Sequence, residues 1–266
     1  MSADLSAMGA DLSAMSADLS VAIGEPEGLT RFVAYTLLFV ASFGVSYYAA
    51  ANARHSPFSV LLWRYVSLAT AVGSLFAAVA VAETIGFVGL LGFGEPIATA
   101  FRQLFQLFFI VFLALSMREL YFQIPHRERK DTALSIEACR RIETVFIAVI
   151  FVEFVIIVLI GFSTVASLVH VLGGFAFTIY GLSFAYSVRT ETMTSGTVID
   201  SVLTYTIAVL LTVGATSVVE GAAILGAPAI TVQSAINVLT VMAGTFLIAL
   251  VIRLKRNLNS IRVASG

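Results

Sequence analysis

Seven long apolar stretches occupy most of this 266-residue chain and constrain its fold more than any other feature. They cover residues 31–52, 58–83, 97–121, 142–162, 164–188, 198–220 and 229–253. A helix that crosses the hydrocarbon core of a bilayer needs about 20 apolar residues, and each stretch supplies them. Composition agrees, because 59% of the residues are hydrophobic and only 12% are charged, whereas a typical soluble domain has about 25% charged residues. We therefore expect an all-α fold, a bundle of seven transmembrane helices in one domain.

The transmembrane domain is expected to cover residues 24–258, with a short tail at each end. Residues 1–21 are three copies of a seven-residue unit, MSADLSA, MGADLSA and MSADLSV. This segment lacks the basic and apolar regions of a signal peptide. We interpret residues 1–23 as a disordered tail that arose by tandem duplication or that precedes the true start; a functional acidic tail is the alternative. Residues 259–266 are expected to form a C-terminal tail.

The distribution of Lys and Arg predicts the orientation of the bundle. Most of them lie between the third and fourth spans or at the C-terminal end of the chain, from the last residue of the seventh span onward: Arg127, Arg129, Lys130, Arg140, Arg141, Arg253, Lys255, Arg256 and Arg262. The first and fifth connections contain Arg54 and Arg189, whereas the second, fourth and sixth contain no Lys or Arg. Because cytoplasmic loops are enriched in basic residues, we expect the N-terminus outside and the C-terminus in the cytoplasm.

A cation and two amides stand out near the outer ends of the spans. Arg102 lies about one and a half turns into the third span, and Gln106 follows one turn later on nearly the same face. Arg102 could organise a buried polar site with side chains of other helices, or it could extend to the headgroups and pair with Glu95 or Glu83. On the seventh span, Gln233 and Asn237 are also one turn apart; their amides could bind a ligand or join two helices. 

Three further titratable residues are candidates for a proton or ion pathway. Glu153 lies near the middle of the fourth apolar run and His170 about two turns into the fifth. Either could act in proton or cation binding, or simply make a structural hydrogen bond to a neighbouring helix. Asp200 begins the sixth span, where it could equally cap the helix or face water. Glu220, at the outer end of the same span, is expected to be solvated.

The sequence contains no signature of an enzyme or of a metal site. It lacks an HExxH sequence, a nucleophile elbow and a phosphate-binding loop. Cys139 is the single cysteine, and the three histidines lie on different segments, so no ligand cluster is predicted. A net charge of −1 gives no basic field for nucleic acid. We expect no enzymatic activity, no metal or other cofactor and no nucleic-acid partner; the expected partners are membrane lipids, another membrane protein or a second copy of the chain.

The seven-span plan, with the N-terminus outside, resembles that of the microbial rhodopsins of archaeal type. The sequence Gly24-Glu25-Pro26-Glu27 resembles the start of their first helix, and Arg102 stands where they keep an arginine on the third helix. Counted from Arg102, their helix-seven aspartate and retinal-binding lysine fall on Gln233 and Asn237. The resemblance covers roughly residues 24–256 and implies an opsin-like bundle in the plasma membrane of a prokaryote.

The residues that bind and serve retinal in that family are missing here. A Schiff base requires a lysine within the membrane, but the lysines are Lys130, in the third loop, and Lys255, past the seventh apolar run. The acids expected three and fourteen residues after the helix-three arginine are replaced by Phe105 and Ser116, and the single tryptophan is Trp63. We therefore expect no covalently bound retinal.

Three functions are compatible with these residues. The first is an opsin-like sensor, or a regulatory partner of another membrane protein, with a noncovalent ligand pocket between the third, fifth, sixth and seventh helices; Arg102, Gln106, Gln233 and Asn237 would line its outer half. The alternative is a small ion or solute transporter or channel, with Arg102, Glu153 and Asp200 along its path. An intramembrane enzyme acting on lipid or isoprenoid is disfavoured because no acidic or histidine pair is present to activate water.

Overall fold

Seven long helices make up nearly all of the computed structural model, which describes residues 26–55, 60–90, 94–123, 135–160, 164–192 and 198–265. They are α1 Pro26–His55, α2 Val60–Thr84, α3 Glu95–Gln123, α4 Ile136–Ile160, α5 Thr164–Thr192, α6 Val198–Ile224 and α7 Ala229–Ser265. A four-residue helical turn, Phe87–Leu90, lies between α2 and α3, and the described residues contain no strand. All seven long helices are long and apolar enough to cross a membrane, which confirms the prediction of an all-α, multi-pass membrane protein.

Six of the helices form a ring, and α4 lies outside it. Around the ring, α1 packs against α2 and α7, α3 against α2 and α5, and α6 against α5 and α7, while α3 also reaches α6 across the middle. Among the described residues, helix α4 packs mainly against α3 and α5. Its buried side chains are Cys139, Glu143, Ile150, Glu153 and Ile157. Two of these five residues are acidic, so α4 contacts the ring through polar as well as apolar side chains.

Two glycines with left-handed backbone geometry fix where α2 and α6 end. Gly86 has a φ of 71° and follows α2, and Gly226 has a φ of 87° and follows α6. A residue in this conformation ends a helix and is most often glycine, which has no Cβ to oppose it. Glu83 and Glu220 are thereby held in the last one or two turns of their helices. Both carboxylates lie at the same end of the bundle as the start of α1, which we call the amino-terminal end.

A layer of apolar side chains separates the two ends of the bundle. On α3, Leu107, Phe109, Ile110, Leu113 and Ala114 are all 2% exposed or less. They belong to a buried apolar cluster that also includes residues of α1, α2, α5, α6 and α7. This group of α3 residues and the side chains packed around it, which we call the apolar layer, lies between the polar groups near Arg102 and those near the opposite, carboxyl-terminal end.

The helices differ from the apolar runs mainly at their ends. Helix α4 begins at Ile136, six residues before its apolar run. Its first two turns expose charged residues such as Glu137 and Arg140, so these turns are not part of the apolar run. Glu153 is seven residues from the end of α4, about 10 Å along the axis, and lies near the middle of the apolar run but not of the longer helix. Helix α7 continues to Ser265, beyond the expected boundary at residue 258. The predicted tail at residues 1–23 lies outside the described residues.

Candidate functional site

A cavity of about 600 Å³ lies at the amino-terminal end, between α1, α3, α5, α6 and α7. Its lining includes Thr164, the first residue of α5, and Ile224, the last of α6, so the cavity reaches the end of the bundle. The polar part of the lining is Arg31, Tyr35, Arg102, Gln103, Thr164, Ser167, His170, Glu220 and Gln233. The apolar part is Val171, Ala223, Ile224, Val232 and Ile236.

Ion pairs around Arg102 join four helices beside this cavity. Arg102 on α3 places its Nε 3.1 Å from Glu83 Oε2 and donates from Nη1 to Glu220 Oε1 at 3.2 Å. Arg31 on α1 donates from Nη2 to the same Glu83 oxygen at 3.0 Å. The four side chains are between 16% and 29% exposed. Since they are largely withdrawn from water, their charges interact more strongly than those of surface pairs.

The structure contains elements of both interpretations of Arg102, and it corrects the expectation that Glu220 is solvated. Arg102 does pair with Glu83, but it also reaches Glu220 inside the bundle, so it does not extend away into the headgroups. The side chain of Glu95 lies outside the described part. Glu220 was expected to be solvated; instead it is 19% exposed and in contact with Arg102 and His170. The reason is that α3 and α5 pack beside the last turns of α6 and cover this carboxylate.

His170 on α5 lies between two carboxylates from different helices. Its Nε2 is 3.1 Å from Glu220 Oε2, and its Nδ1 is 3.8 Å from Glu153 Oε1. The side chains of His170 and Glu153 are only 1% and 3% exposed. Among the described residues, neither ring nitrogen and neither Glu153 oxygen has a partner in hydrogen-bond geometry. The sequence singled out both residues, and the structure brings them together.

The four predicted ligand-binding residues lie at two depths. Arg102 and Gln233 line the cavity, whereas Gln106 and Asn237 are one turn deeper, 1% and 3% exposed, and are not part of its lining. Gln233 donates from Nε2 to Asn237 Oδ1 at 3.0 Å. Gln233 and Asn237 therefore share a face of α7 as predicted, but only the Gln233 amide reaches the cavity.

Gln106 connects α3 to α6 below the cavity. Its Nε2 lies 3.0 Å from Thr216 Oγ1 and 3.2 Å from Ser217 Oγ and donates to these hydroxyls. Gln106 Nε2 therefore joins α3 to α6 beneath the cavity, whereas Gln106 Oε1 is buried without a hydrogen-bond partner among the described residues.

Asp200 does not belong to this site. It lies in the first turn of α6, 20 residues from Glu220, which places it about 30 Å away along the helix axis. The apolar layer lies between the two. Arg102, Glu153 and Asp200, which the sequence suggested as one pathway, are thus not a contiguous row of polar groups.

A second buried ion pair, at the carboxyl-terminal end, attaches α4 to the ring. Arg118 on α3 donates from Nη1 to Glu143 on α4, and Tyr180 on α5 donates from its hydroxyl to the other Glu143 oxygen at 2.6 Å. The Arg118 and Glu143 side chains are 5% and 9% exposed. Sequence reasoning missed this pair, although a charged Arg118 inside the third apolar run was the signal that could have found it.

The sequence also missed Arg31 and Tyr35 as parts of the site, and it named Glu83 only as a possible partner of an Arg102 that extends to the headgroups. Arg31 and Glu83 stand at the ends of apolar runs, where charged residues usually meet water or headgroups. Nothing in the apolar run itself distinguishes a charged residue of this kind from one that is covered inside the bundle. Within the described part of the chain, no group of three or more His, Cys, Asp and Glu residues is arranged to hold a metal ion.

No protein-family model, curated protein or solved structure matches this chain. Its function is therefore inferred from the cavity, the ion pairs beside it and the apolar layer below it.

Proposed function

We propose that this protein is a seven-helix membrane sensor, or a regulatory partner of another membrane protein, that binds a small amphipathic ligand noncovalently in the amino-terminal cavity. The observation that supports it most is the position of the cavity. It reaches the end of the bundle and has the apolar layer beneath it, which is the form of a binding site with one entrance. Its volume of about 600 Å³ lies within the usual range of small-molecule sites, about 300–1,000 Å³.

The two sides of the cavity differ in polarity, which supports an amphipathic ligand. The lining residues from α1 and α3, Arg31 and Arg102 among them, are all polar, whereas α6 and α7 contribute four of the five apolar lining residues beside Glu220 and Gln233. A ligand with a polar end and an apolar body would place the first against the arginines and the second against α6 and α7. Pockets of this kind obtain affinity from apolar contact and orientation from a few polar groups.

The resemblance to microbial rhodopsins is part of this proposal, but bound retinal is not. Asn237, at the position that corresponds to the retinal-binding lysine, is an amide and cannot form a Schiff base. Lys255 is 18 residues further along α7, about 27 Å along the axis. The ligand is therefore held noncovalently, on the extracellular side if the basic loops are cytoplasmic.

The alternative function is a small ion or solute transporter. The titratable series Glu153, His170 and Glu220 favours it, because such groups can relay protons. The apolar layer disfavours it, because a transported charge would have to pass side chains that are 2% exposed or less. Proton or solute flux in proteoliposomes that Glu153→Gln abolishes would support transport over sensing.

A cavity-filling variant tests the proposed binding site. We would follow thermal unfolding of the purified protein in mild detergent while titrating hexanol, and compare Val232→Phe with Val238→Phe. Val232 lines the cavity, whereas Val238 is on the same helix and 60% exposed. Saturable binding should stabilise the wild type and Val238→Phe by about 1.4 kcal/mol at ten times Kd, and Val232→Phe should lose this effect. Equal binding by Val232→Phe and the wild type would exclude this cavity as the site.

A further inference from the structure

The residues that line the cavity have a more positive net charge than the whole group of ion-paired residues around it. Arg31 and Arg102 line it, and Glu220 is the one carboxylate in its described lining. Glu83, which pairs with both arginines, lies behind the wall. A ligand in the cavity therefore meets two guanidinium groups and one carboxylate, which favours an anionic group over a cationic one.

A buried carboxylate and a buried imidazole stand next to this surface. Glu153 is 3% exposed, has no hydrogen-bond partner among the described residues, and lies 3.8 Å from His170 Nδ1. His170 in turn lines the cavity. The charged side chains around the imidazole are Glu153 from α4, Glu220 from α6 and, through Glu220, Arg102 from α3. In the described part of the chain, the ion-pair contact of Glu153 is with His170.

The charges of the site can be counted from these contacts. The group consists of Arg31, Glu83, Arg102, Glu153, His170 and Glu220. The two arginines balance Glu83 and Glu220. The remaining pair is neutral with one titratable proton, whether as Glu153 carboxylate with imidazolium or as carboxylic acid with imidazole. A second proton gives the group a charge of +1.

We propose that the cavity binds a monoanionic amphiphile, such as an alkyl carboxylate or sulfonate, together with one proton that Glu153 and His170 hold. An uncompensated charge in a low-dielectric site is costly, and a bound monoanion together with the second proton leaves the site neutral. The proton comes from water and returns to it on release. This inference rests on the proposed binding function and specifies its ligand class and its regulation.

The geometry of His170 explains how the proton and the anion are coupled. With protons on both ring nitrogens, His170 can donate to Glu220 on the cavity side and to Glu153 on the α4 side at once. The second proton therefore lies at the contact between α5 and α4 and at the same time makes the cavity more cationic. Binding of an anion would thus be sensed by α4, the helix outside the ring.

Isothermal titration with two small probes tests this coupling. Hexanesulfonate is anionic across the working range, so its own protonation does not contribute, and hexanol is its neutral counterpart. Over the pH range in which the free protein lacks the second proton, hexanesulfonate affinity should fall by up to about tenfold per pH unit, while hexanol affinity stays constant. Titrations in two buffers of different ionisation enthalpy should show net proton uptake on binding of the sulfonate, approaching one proton at the upper end of that pH range.

The double variant Glu153→Gln/His170→Gln should abolish both the pH dependence and the proton uptake, because Glu153→Gln alone leaves an imidazole that can still take the second proton. Glu137→Gln is the control. Glu137 is on the same helix but exposed, so its variant should behave as the wild type; cooperative thermal unfolding checks that each variant is folded. Sulfonate affinity that is independent of pH in the wild type, or proton uptake that persists in Glu153→Gln/His170→Gln, would overturn the proposal. Binding of hexanol but not of hexanesulfonate would refute this inference alone, whereas binding of neither would also refute the proposed function.

Discussion

Removing the cation of the buried Arg118–Glu143 pair should destabilise the protein more than most single substitutions. The side chains are 5% and 9% exposed, so solvent screens their attraction little. Arg118→Met would leave the Glu143 carboxylate with the Tyr180 hydroxyl as its remaining hydrogen-bond donor in the described part. Breaking a buried pair in this way typically lowers the free energy of unfolding by about 3–5 kcal/mol. We expect a loss in this range for Arg118→Met.

The double variant Arg118→Met/Glu143→Gln separates the cost of an unpaired charge from the cost of lost packing. Glutamine keeps an acceptor for the Tyr180 hydroxyl but has no charge, so the double variant should recover to within about 1–2 kcal/mol of the wild type. Arg141→Met serves as a control at the same end of the bundle. Arg141 is exposed on α4, and its replacement should change stability by no more than about 0.5 kcal/mol.

The measurement is reversible unfolding in mixed micelles, in which the fraction of denaturing detergent is raised while far-UV circular dichroism is followed. Wild type, both single variants and the double variant complete a mutant cycle. A loss below about 1 kcal/mol for Arg118→Met would contradict the reasoning, because a buried charge without its partner cannot cost so little. So would a double variant that is as unstable as Arg118→Met, since packing and not charge would then dominate.

Three further outcomes are expected. Gly181→Ala should lower the free energy of unfolding by about 1–3 kcal/mol, because its Cβ would lie 2.9 Å from the backbone of α3, whereas Gly94→Ala, with its nearest contact at 3.5 Å, should be nearly neutral in the same assay. Added all-trans retinal should give no visible band that hydroxylamine bleaches, because Asn237 supplies no amine; such a band would refute the noncovalent assignment. In intact cells, a membrane-impermeant maleimide should label Glu27→Cys at once and Ser260→Cys only after permeabilisation, and the reverse would invert the proposed orientation.

The number and approximate positions of the helices could be predicted because a membrane span is a property of one continuous stretch of sequence. About 20 apolar residues must be consecutive to cross the bilayer, so each span is visible without knowledge of its neighbours. The helix ends could not be predicted in this way. Charged residues continue α4 toward Ile136 and α7 toward Ser265, and a helix that leaves the hydrocarbon core no longer needs to be apolar.

The same reasoning explains which residues of the site could be predicted from the sequence and which could not. Arg102, Glu153 and His170 stand inside apolar runs, so their cost in a membrane is evident from the sequence. Glu83 and Glu220 stand at the ends of runs, where a carboxylate is inexpensive. Only the packing of α1 and α3 beside Glu83, and of α3 and α5 beside Glu220, shows that they are covered. The sequence likewise does not show which polar groups contact one another. The contact between Glu153 and His170, for example, depends on how α4 packs against α5.

The apolar layer also determines where the electrical potential of the membrane falls. The energy of a unit charge changes by about 2.3 kcal/mol when it crosses a membrane potential of about 100 mV. Most of the potential drop occurs across dry, nonpolar material. The cavity reaches the end of the bundle and lies on one side of this material. A ligand that enters it traverses only a small part of the field, so its affinity should be nearly the same in a polarised and a depolarised cell.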